Sequence, residues 1–244
     1  MSASLLSTRE AARFLRVSEA SIRRWTDAGL LPASRVGRRR SRRFNQADLV
    51  RFMGANPAEA TPHGLRTITL QGMTVEVGSH LASYFASDGG QLRLGVPFLG
   101  DGLQSGQACI VHASMSAREH YLRALRDQQV EVDAALRSGL LSFMPLRRMS
   151  LAAFIDVLDG MVGEASARHP GPLRFLGEPA TGAKSVGSTR GLLKLEQQLS
   201  VMVKRLPMVM LCPYDVREFD GVTLLEGLKL HFDTFAHPLG YFLN

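Results

Sequence analysis

The chain has 244 residues, 45% of them apolar and 21% charged, with 23 glycines and 11 prolines. That is enough apolar material for one sizeable core and a smaller satellite domain, and it excludes disorder and collagen-like repeats. No apolar run approaches the roughly 20 residues a bilayer crossing needs, and the first residues lack a secretory pattern. Two cysteines, Cys109 and Cys212, are too few for a disulfide framework, so reduced thiols in a cytoplasm are expected.

The positive charge is concentrated. Residues 1–54 hold twelve arginines, no lysine and four acids (Glu10, Glu19, Asp27, Asp48), a net of +8 within a chain total of +7. The remaining 190 residues therefore sum to −1. A short cationic segment joined to a neutral body points to a polyanion-binding module. Arginine suits phosphate and guanine because its planar fork donates two parallel hydrogen bonds. A coding bias explains the choice of arginine over lysine but not the clustering.

Thr8 is expected to cap a first helix in which Ala11, Phe14 and Leu15 share a face. Ser18 caps a second helix that ends at Gly29, with Ile22 and Trp25 turned inward. Two short helices joined by a tight turn make a helix-turn-helix. Ser18, Ala20, Ser21, Arg23 and Arg24 are then left to meet a DNA groove and its flanking phosphates. Between Val36 and Phe44 come Arg38, Arg39, Arg40, Arg42 and Arg43, which read as a β-hairpin wing. Its apolar ends are expected to pack on the helices while its tip lies along the backbone. A third helix begins at Asn45 or Gln46 and returns Leu49, Phe52 and Met53 to the core.

The string Ser7-Thr8-Arg9-Glu10-Ala11-Ala12, then Ser21-Ile22-Arg23-Arg24-Trp25, Gly29-Leu30-Leu31-Pro32 and Arg43-Phe44, resembles the MerR/excisionase winged helix-turn-helix over about residues 5–53. The resemblance implies a second helix in the major groove and a wing over the adjacent backbone. It departs from MerR activators in one respect: no long dimerisation helix follows. Residues 55–71, rich in proline, glycine and small side chains, read instead as a linker.

Residues 72–244 alternate apolar runs with amphipathic segments. Strands are expected at 73–77, 81–85, 108–112, 140–144, 173–176 and 209–212, and helices at 89–99, 117–128, 151–167, 190–204 and 222–230. Strands separated by helices of this length predict an α/β three-layer domain with a mainly parallel sheet. Ligands in such sheets sit beyond the carboxyl ends of the strands. Those ends carry His112 and Ser114, Glu178, and Cys212 with Tyr214 and Asp215. Glu178 is a candidate polar anchor or the partner of Arg174, and Asp215 a candidate contact or the partner of Arg217. Cys212 reads as a buried structural thiol.

Gly78-Ser79-His80-Leu81 with Tyr84, Pro97-Phe98-Leu99, Arg174-Phe175-Leu176-Gly177-Glu178, Leu195-Glu196 and Leu211-Cys212-Pro213-Tyr214-Asp215 occur in an order that resembles the MEDS sensory domain of methanogen and methylotroph regulators. The resemblance covers about residues 72–238 and includes His231 after the last amphipathic helix. It implies a RecA/KaiC-like core that senses a small, largely apolar molecule. Ligand contacts are expected from His80, Tyr84, His112, Ser114, Glu178, Tyr214, Asp215 and His231.

At the place of a RecA-type phosphate loop stands Ala113-Ser114-Met115-Ser116-Ala117-Arg118, with no glycine to wrap a phosphate and no lysine. Nucleotide hydrolysis is therefore not expected, and Gly182-Ala183-Lys184-Ser185 reads as a mobile loop. The histidines lack a zinc-type spacing, and no GxSxG elbow occurs, so neither metal, cofactor nor catalytic residue is expected. The sequence thus describes a one-component transcriptional regulator that binds double-stranded DNA as a homodimer or larger homo-oligomer and responds to a small effector. A RecA-like nucleotidase addressed to DNA and an architectural protein without an effector are the competing readings. A crevice open to solvent beside His112, Glu178 and Tyr214 would favour sensing, and one packed shut would favour assembly.

Overall fold

The structure, a computed structural model, describes residues 5–15, 19–27, 31–37, 40–52 and 67–244. The chain divides into two compact units, Met1–His63 and Gly64–Asn244.

The first unit runs β1 (Leu6–Ser7), α1 (Thr8–Leu15), α2 (Glu19–Asp27), β2 (Ser34–Val36), β3 (Ser41–Phe44) and α3 (Gln46–Phe52). Its strands form an antiparallel sheet in the order β1-β3-β2. The cap of α1 is Ser7 rather than Thr8. Ser7 Oγ accepts the Glu10 N–H at 3.3 Å, and Glu10 Oε2 accepts the Ser7 N–H at 2.7 Å. This reciprocal capping box also fixes the short strand β1 against β3. Asn45 caps α3 through the Ala47 N–H. Ala11, Ala12, Leu15, Ile22, Trp25, Leu31, Phe44 and Leu49 are buried, and Phe52 packs its ring 5.2 Å from that of Trp25. Only one end of the wing joins this core: Phe44 is fully buried, whereas Val36 is exposed and Phe14 lies half-buried.

The second unit opens with a hairpin of β4 (Thr67–Leu70) and β5 (Met73–Glu76). Its turn, Gln71-Gly72, holds both residues at positive φ (48° and 79°), the geometry of a two-residue hairpin loop. Residues 67–70 fell within the stretch whose composition suggested a linker. The alternation of Thr67-Ile68-Thr69-Leu70 buries Ile68 and Leu70 and makes them a strand. Residues 73–76 likewise pair only with this hairpin partner, outside the main sheet.

Then follow β6 (His80–Phe85), α4 (Asp88–Gln104), β7 (Cys109–His112), α5 (Met115–Asp127), α6 (Val132–Ser138), β8 (Leu141–Phe143), α7 (Leu151–Arg168), β9 (Leu173–Gly177), α8 (Pro179–Val186), α9 (Thr189–Met202), β10 (Met208–Asp215) and α10 (Gly221–Leu230). Strands β6 to β10 form one fully parallel sheet in the order β6-β10-β9-β7-β8. On one face Leu81, Val111, Leu176 and Leu211 pack against α4, α5, α6 and the hairpin. On the other, Ile110, Phe175, Met208 and Met210 pack against α7 and α9. The sequence is thus read as a three-layer α/β domain, and it folds as one. Residues 182–185 are no loop: Pro179 at the first helical position and Gly187 at φ 88° bound the helix α8 around them.

The outer edge of β6 is covered by the carboxyl-terminal segment. The N–H groups of His80 and Ala82 donate to the side chains of Asp233 and Thr234, and those of Tyr84 and Ala86 donate to the carbonyls of Phe242 and Asn244. An edge strand with its donors so occupied offers no template for another chain. Among the described residues no helix is long and apolar enough to cross a membrane.

Candidate functional site

In the first unit Ile22 and Trp25 anchor α2 to the core, which turns Arg23 outward, where it pairs with Glu19 at 2.8 Å. Ala20, Ser21 and Arg24 belong to the same helix, while Ser18, Arg38 and Arg39 lie outside the described residues. In the wing, Arg40 is exposed at the tip at φ 46° and Arg43 is half-buried on β3. Arg42 behaves differently. Its guanidinium is mostly covered and pairs with Asp27, at the end of α2, which also receives Arg35 at 3.5 Å. These pairs tie the wing to the second helix, so Arg42 braces the module.

In the second unit α5 leaves β7 on one face of the sheet while α8 leaves β9 on the other. The carboxyl ends of these neighbouring strands therefore part at a crevice, the usual ligand position in such sheets. Glu178, at the end of β9, spans it. Its carboxylate accepts the Ser114 N–H at 3.0 Å, the Thr181 hydroxyl at 3.1 Å and the Gln91 amide. Burial raises the Glu178 pKa, and these three donors pull it back down. The Arg174 side chain takes no part. It is buried nearer the other end of β9, against α4 and the hairpin, and donates to Gln107 Oε1, the Phe98 carbonyl and the Thr69 carbonyl at 2.7–2.9 Å.

A cleft of about 260 Å³ opens beside Glu178, lined by Asp88, Gln91, Ser114, His120, Lys184, Asp215 and Arg217 among others. Arg217 spans Asp215 and Asp88, at 2.7 and 2.8 Å, and hydrogen bonding to it lowers the Asp215 pKa. The lining is charged and hydrogen-bonding, not the apolar surface the sequence suggested, because strand ends and helix starts supply it. The Ser114 N–H, at the N-cap just ahead of α5 and at the place of a phosphate loop, is held by the Glu178 carboxylate. A negative charge at that point repels phosphate.

Of the eight expected ligand contacts, the structure brings only Ser114, Glu178 and Asp215 to this cleft. His112 is buried, hydrogen-bonded to Ser185 Oγ at 3.2 Å and edge-on to Phe154; burial and then Arg118 lower its pKa to about 4. The crevice is thus open beside Glu178 and packed shut beside His112 and Tyr214.

The other four, His80, Tyr84, Tyr214 and His231, gather on the sheet face covered by α9 and α10. Side chains two apart on a strand share a face, which aligns His80 and Tyr84 with Cys212 and Tyr214 on the neighbouring strand. Tyr84 stacks on Tyr214 with centroids 5.3 Å apart, and Tyr214 fits beneath α10 because Gly227 has no Cβ to strike its ring. Glu196 enters from α9. Its Oε2 lies 3.3 Å from His80 Nε2, 3.4 Å from His231 Nε2 and 3.8 Å from Cys212 Sγ. Burial opposes the charge on Glu196, but the histidines outweigh it and hold its pKa to about 2. Burial and the neighbouring His231 lower His80 to about 4, and burial pushes the Cys212 thiol well up.

Two family models match the chain: the methanogen/methylotroph, DcmR sensory domain (MEDS) over residues 79–232, and a helix-turn-helix domain over residues 5–57. The chain belongs to the MEDS family. It is 35% identical over 246 residues to the transcriptional repressor DcmR of Methylorubrum extorquens, covering 96% of this chain and 92% of that one. Among solved structures it is similar to a KaiC-like protein of Pyrococcus horikoshii OT3, with a TM-score of 0.48 and 10% identity. That similarity covers 59% of this chain and 63% of the other, under two thirds of its length.

Within the MEDS domain, sequence reasoning passed over Gln91 and His120 in the cleft, polar residues on helices, set Lys184 in a loop and read Arg217 as the partner of Asp215. Glu196 carried a detectable signal. Leu192, Leu195, Glu196 and Leu199 fall at helical spacing on one face of α9, and an acid on an apolar face requires a partner.

Proposed function

We propose that this protein is a DNA-binding transcriptional repressor whose MEDS domain adjusts operator affinity in response to a small polar molecule held in the Glu178 cleft. The observation that carries the reading is the winged helix-turn-helix itself: a packed three-helix core that leaves Arg23 and Arg40 outward, in a chain similar over nearly its whole length to a named repressor. Arg23 and Arg24 contact base edges and phosphates from α2, joined by Ser18, Ala20 and Ser21. Arg38, Arg39, Arg40 and Arg43 lie along the adjacent backbone, with Arg42 serving chiefly to hold the wing. One such module covers little DNA, so a homodimer or larger homo-oligomer reads two half-sites.

In the cleft, Glu178, Asp215 and Ser114 supply acceptors and a hydroxyl, and Lys184 and Arg217 supply cations, which suits a molecule offering both donors and acceptors. A coupling of about 1–3 kcal/mol between the sites changes DNA affinity by about 5- to 150-fold. The test is binding of the full chain to duplexes it selects from a random library, across salt concentrations. Arg23→Ala with Arg24→Ala is expected to weaken binding by about 1–3 kcal/mol for each base edge these arginines read, and to flatten the salt dependence by about one unit for each phosphate they neutralise. Equal affinity and equal salt dependence would remove α2 as the reading surface.

A further inference from the structure

We propose that His80, Glu196, Cys212 and His231 form a closed binding site for one divalent transition-metal ion, Zn²⁺ by the chemistry of its donors. The four side chains come from β6, α9, β10 and the end of α10, all buried, and each aims one ligand atom into a region where these atoms lie within 4.8 Å of one another. The separations from Glu196 Oε2 to the other three donors are 3.3, 3.4 and 3.8 Å, and His80 Nε2 is 3.3 Å from Cys212 Sγ. A tetrahedron around an ion with bonds of roughly 2.0–2.3 Å has edges of about 3.3–3.7 Å. Four of the six donor separations are thus close to those of ligands, and the other two lie within 4.8 Å.

The hydrogen bonds behind the ring nitrogens fix which atoms are free. His231 Nδ1 lies 2.7 Å from the Gly227 carbonyl, which can only accept, so Nδ1 carries the proton and Nε2 presents a lone pair. That Nε2 is fully buried without a hydrogen-bond partner. Ser200 Oγ donates its hydrogen to the Glu196 carbonyl at 2.8 Å and accepts from His80 Nδ1 at 2.9 Å, which leaves His80 Nε2 facing the same point. Metal-binding histidines are oriented in this way, by a backbone carbonyl or hydroxyl on the other nitrogen. Two ring nitrogens and a carboxylate this close in a dry interior need a positive charge between them, a proton on a ring or a bound cation.

Charge gives the same answer. A Cys212 thiolate and the Glu196 carboxylate neutralise a divalent ion, and the site as a whole carries no net charge to bury. The thiol proton passes to solvent as the sulfur–metal bond forms. Two imidazoles, one thiolate and one carboxylate suit zinc rather than the oxygen-seeking magnesium or calcium, and four protein donors leave no position for substrate. The ion would pin β6 and β10 to α9 and to the carboxyl-terminal segment that covers the sheet edge.

The inference does not rest on the repressor reading, and DNA binding does not enter its test. The purified full chain is stripped with a chelator, re-equilibrated with Zn²⁺ and assayed for bound metal. One zinc per chain is expected, and Co²⁺ in its place is expected to give tetrahedral visible absorption with a thiolate-to-cobalt charge-transfer band. Cys212→Ser and His231→Gln are expected to lose at least tenfold in affinity, and Ser200→Ala about 10- to 100-fold through the ring it orients. Cys109→Ser, whose thiol is buried elsewhere against carbonyls, is expected to bind as before. A folded, unmodified chain that retains no zinc, or a cobalt form without the thiolate band, overturns the proposal even if the variants do not fold. So does equal retention by folded Cys212→Ser and His231→Gln.

Discussion

The two units use charge in opposite ways. In the first, twelve arginines crowd into 54 residues, and those described at the surface, such as Arg23 and Arg40, sit over a small apolar core. In the second, the net charge is near zero and the notable ionic groups are inside: Arg174, Glu178 and Glu196 are each under a tenth exposed. An exposed cation costs little and remains available to a polyanion. A buried one must find partners within the fold, and it then acts as a fastening. Burial decides the role: arginine stays outward at Arg23 and Arg40, braces the wing where Arg42 is mostly covered, and becomes a fastening at Arg174.

The widest separation is expected between Arg174 and Arg40. Arg174→Ala leaves the Gln107, Phe98 and Thr69 oxygens without their donor and opens a hole against Gly102, for an expected loss of about 3–5 kcal/mol in urea unfolding. Arg40→Ala should change stability by less than about 0.5 kcal/mol. A mild Arg174 variant would show that the buried arginine does not fasten the hairpin to the sheet.

Acidification probes the buried imidazole of the second unit. The folded pKa of His112, about 4, lies below its ordinary 6.5, so the unfolded chain takes up the proton first. Its share of stability is fully present above pH 6.5 and is lost as pH falls toward 4, about 2 kcal/mol of it by pH 5. Unfolding followed at pH 7 and pH 5 should therefore show a smaller pH penalty for His112→Gln than for the unmodified chain. Identical penalties would place the ring in water.

A smaller loss is expected from the cap of α1 in the first unit. Ser7→Ala removes one half of the α1 capping box and should cost about 1 kcal/mol of that unit's stability. A melt that resolves the two units should show the transition of the winged module shifted by this amount and that of the α/β body left in place.

Much of the fold was legible because its signals are local. The helix-turn-helix announced itself through Ile22 and Trp25 at helical spacing and arginines clustered beyond chance. The parallel sheet followed from short apolar runs separated by amphipathic helices. The hairpin's first strand, 67–70, and the helix α8 were missed because their short segments gain definition from burial of Ile68, Leu70 and Thr181 against distant chain. The candidate site was legible only in part. Its residues carried the right chemistry, but strand pairing and helix placement sorted them into two places.

By itself the sequence determined an arginine-rich winged module, an α/β body and the absence of a glycine-lysine phosphate loop. Periodicity, capping and charge counts are properties of neighbours along the chain, and they survive without a third dimension. Tertiary structure alone decided that Glu178 holds the α5 amide, that His112 is sealed in, and that His80, Glu196, Cys212 and His231 converge. Those facts depend on which strands lie side by side and which face each residue shows, and residues up to 151 positions apart cannot declare that in a linear pattern.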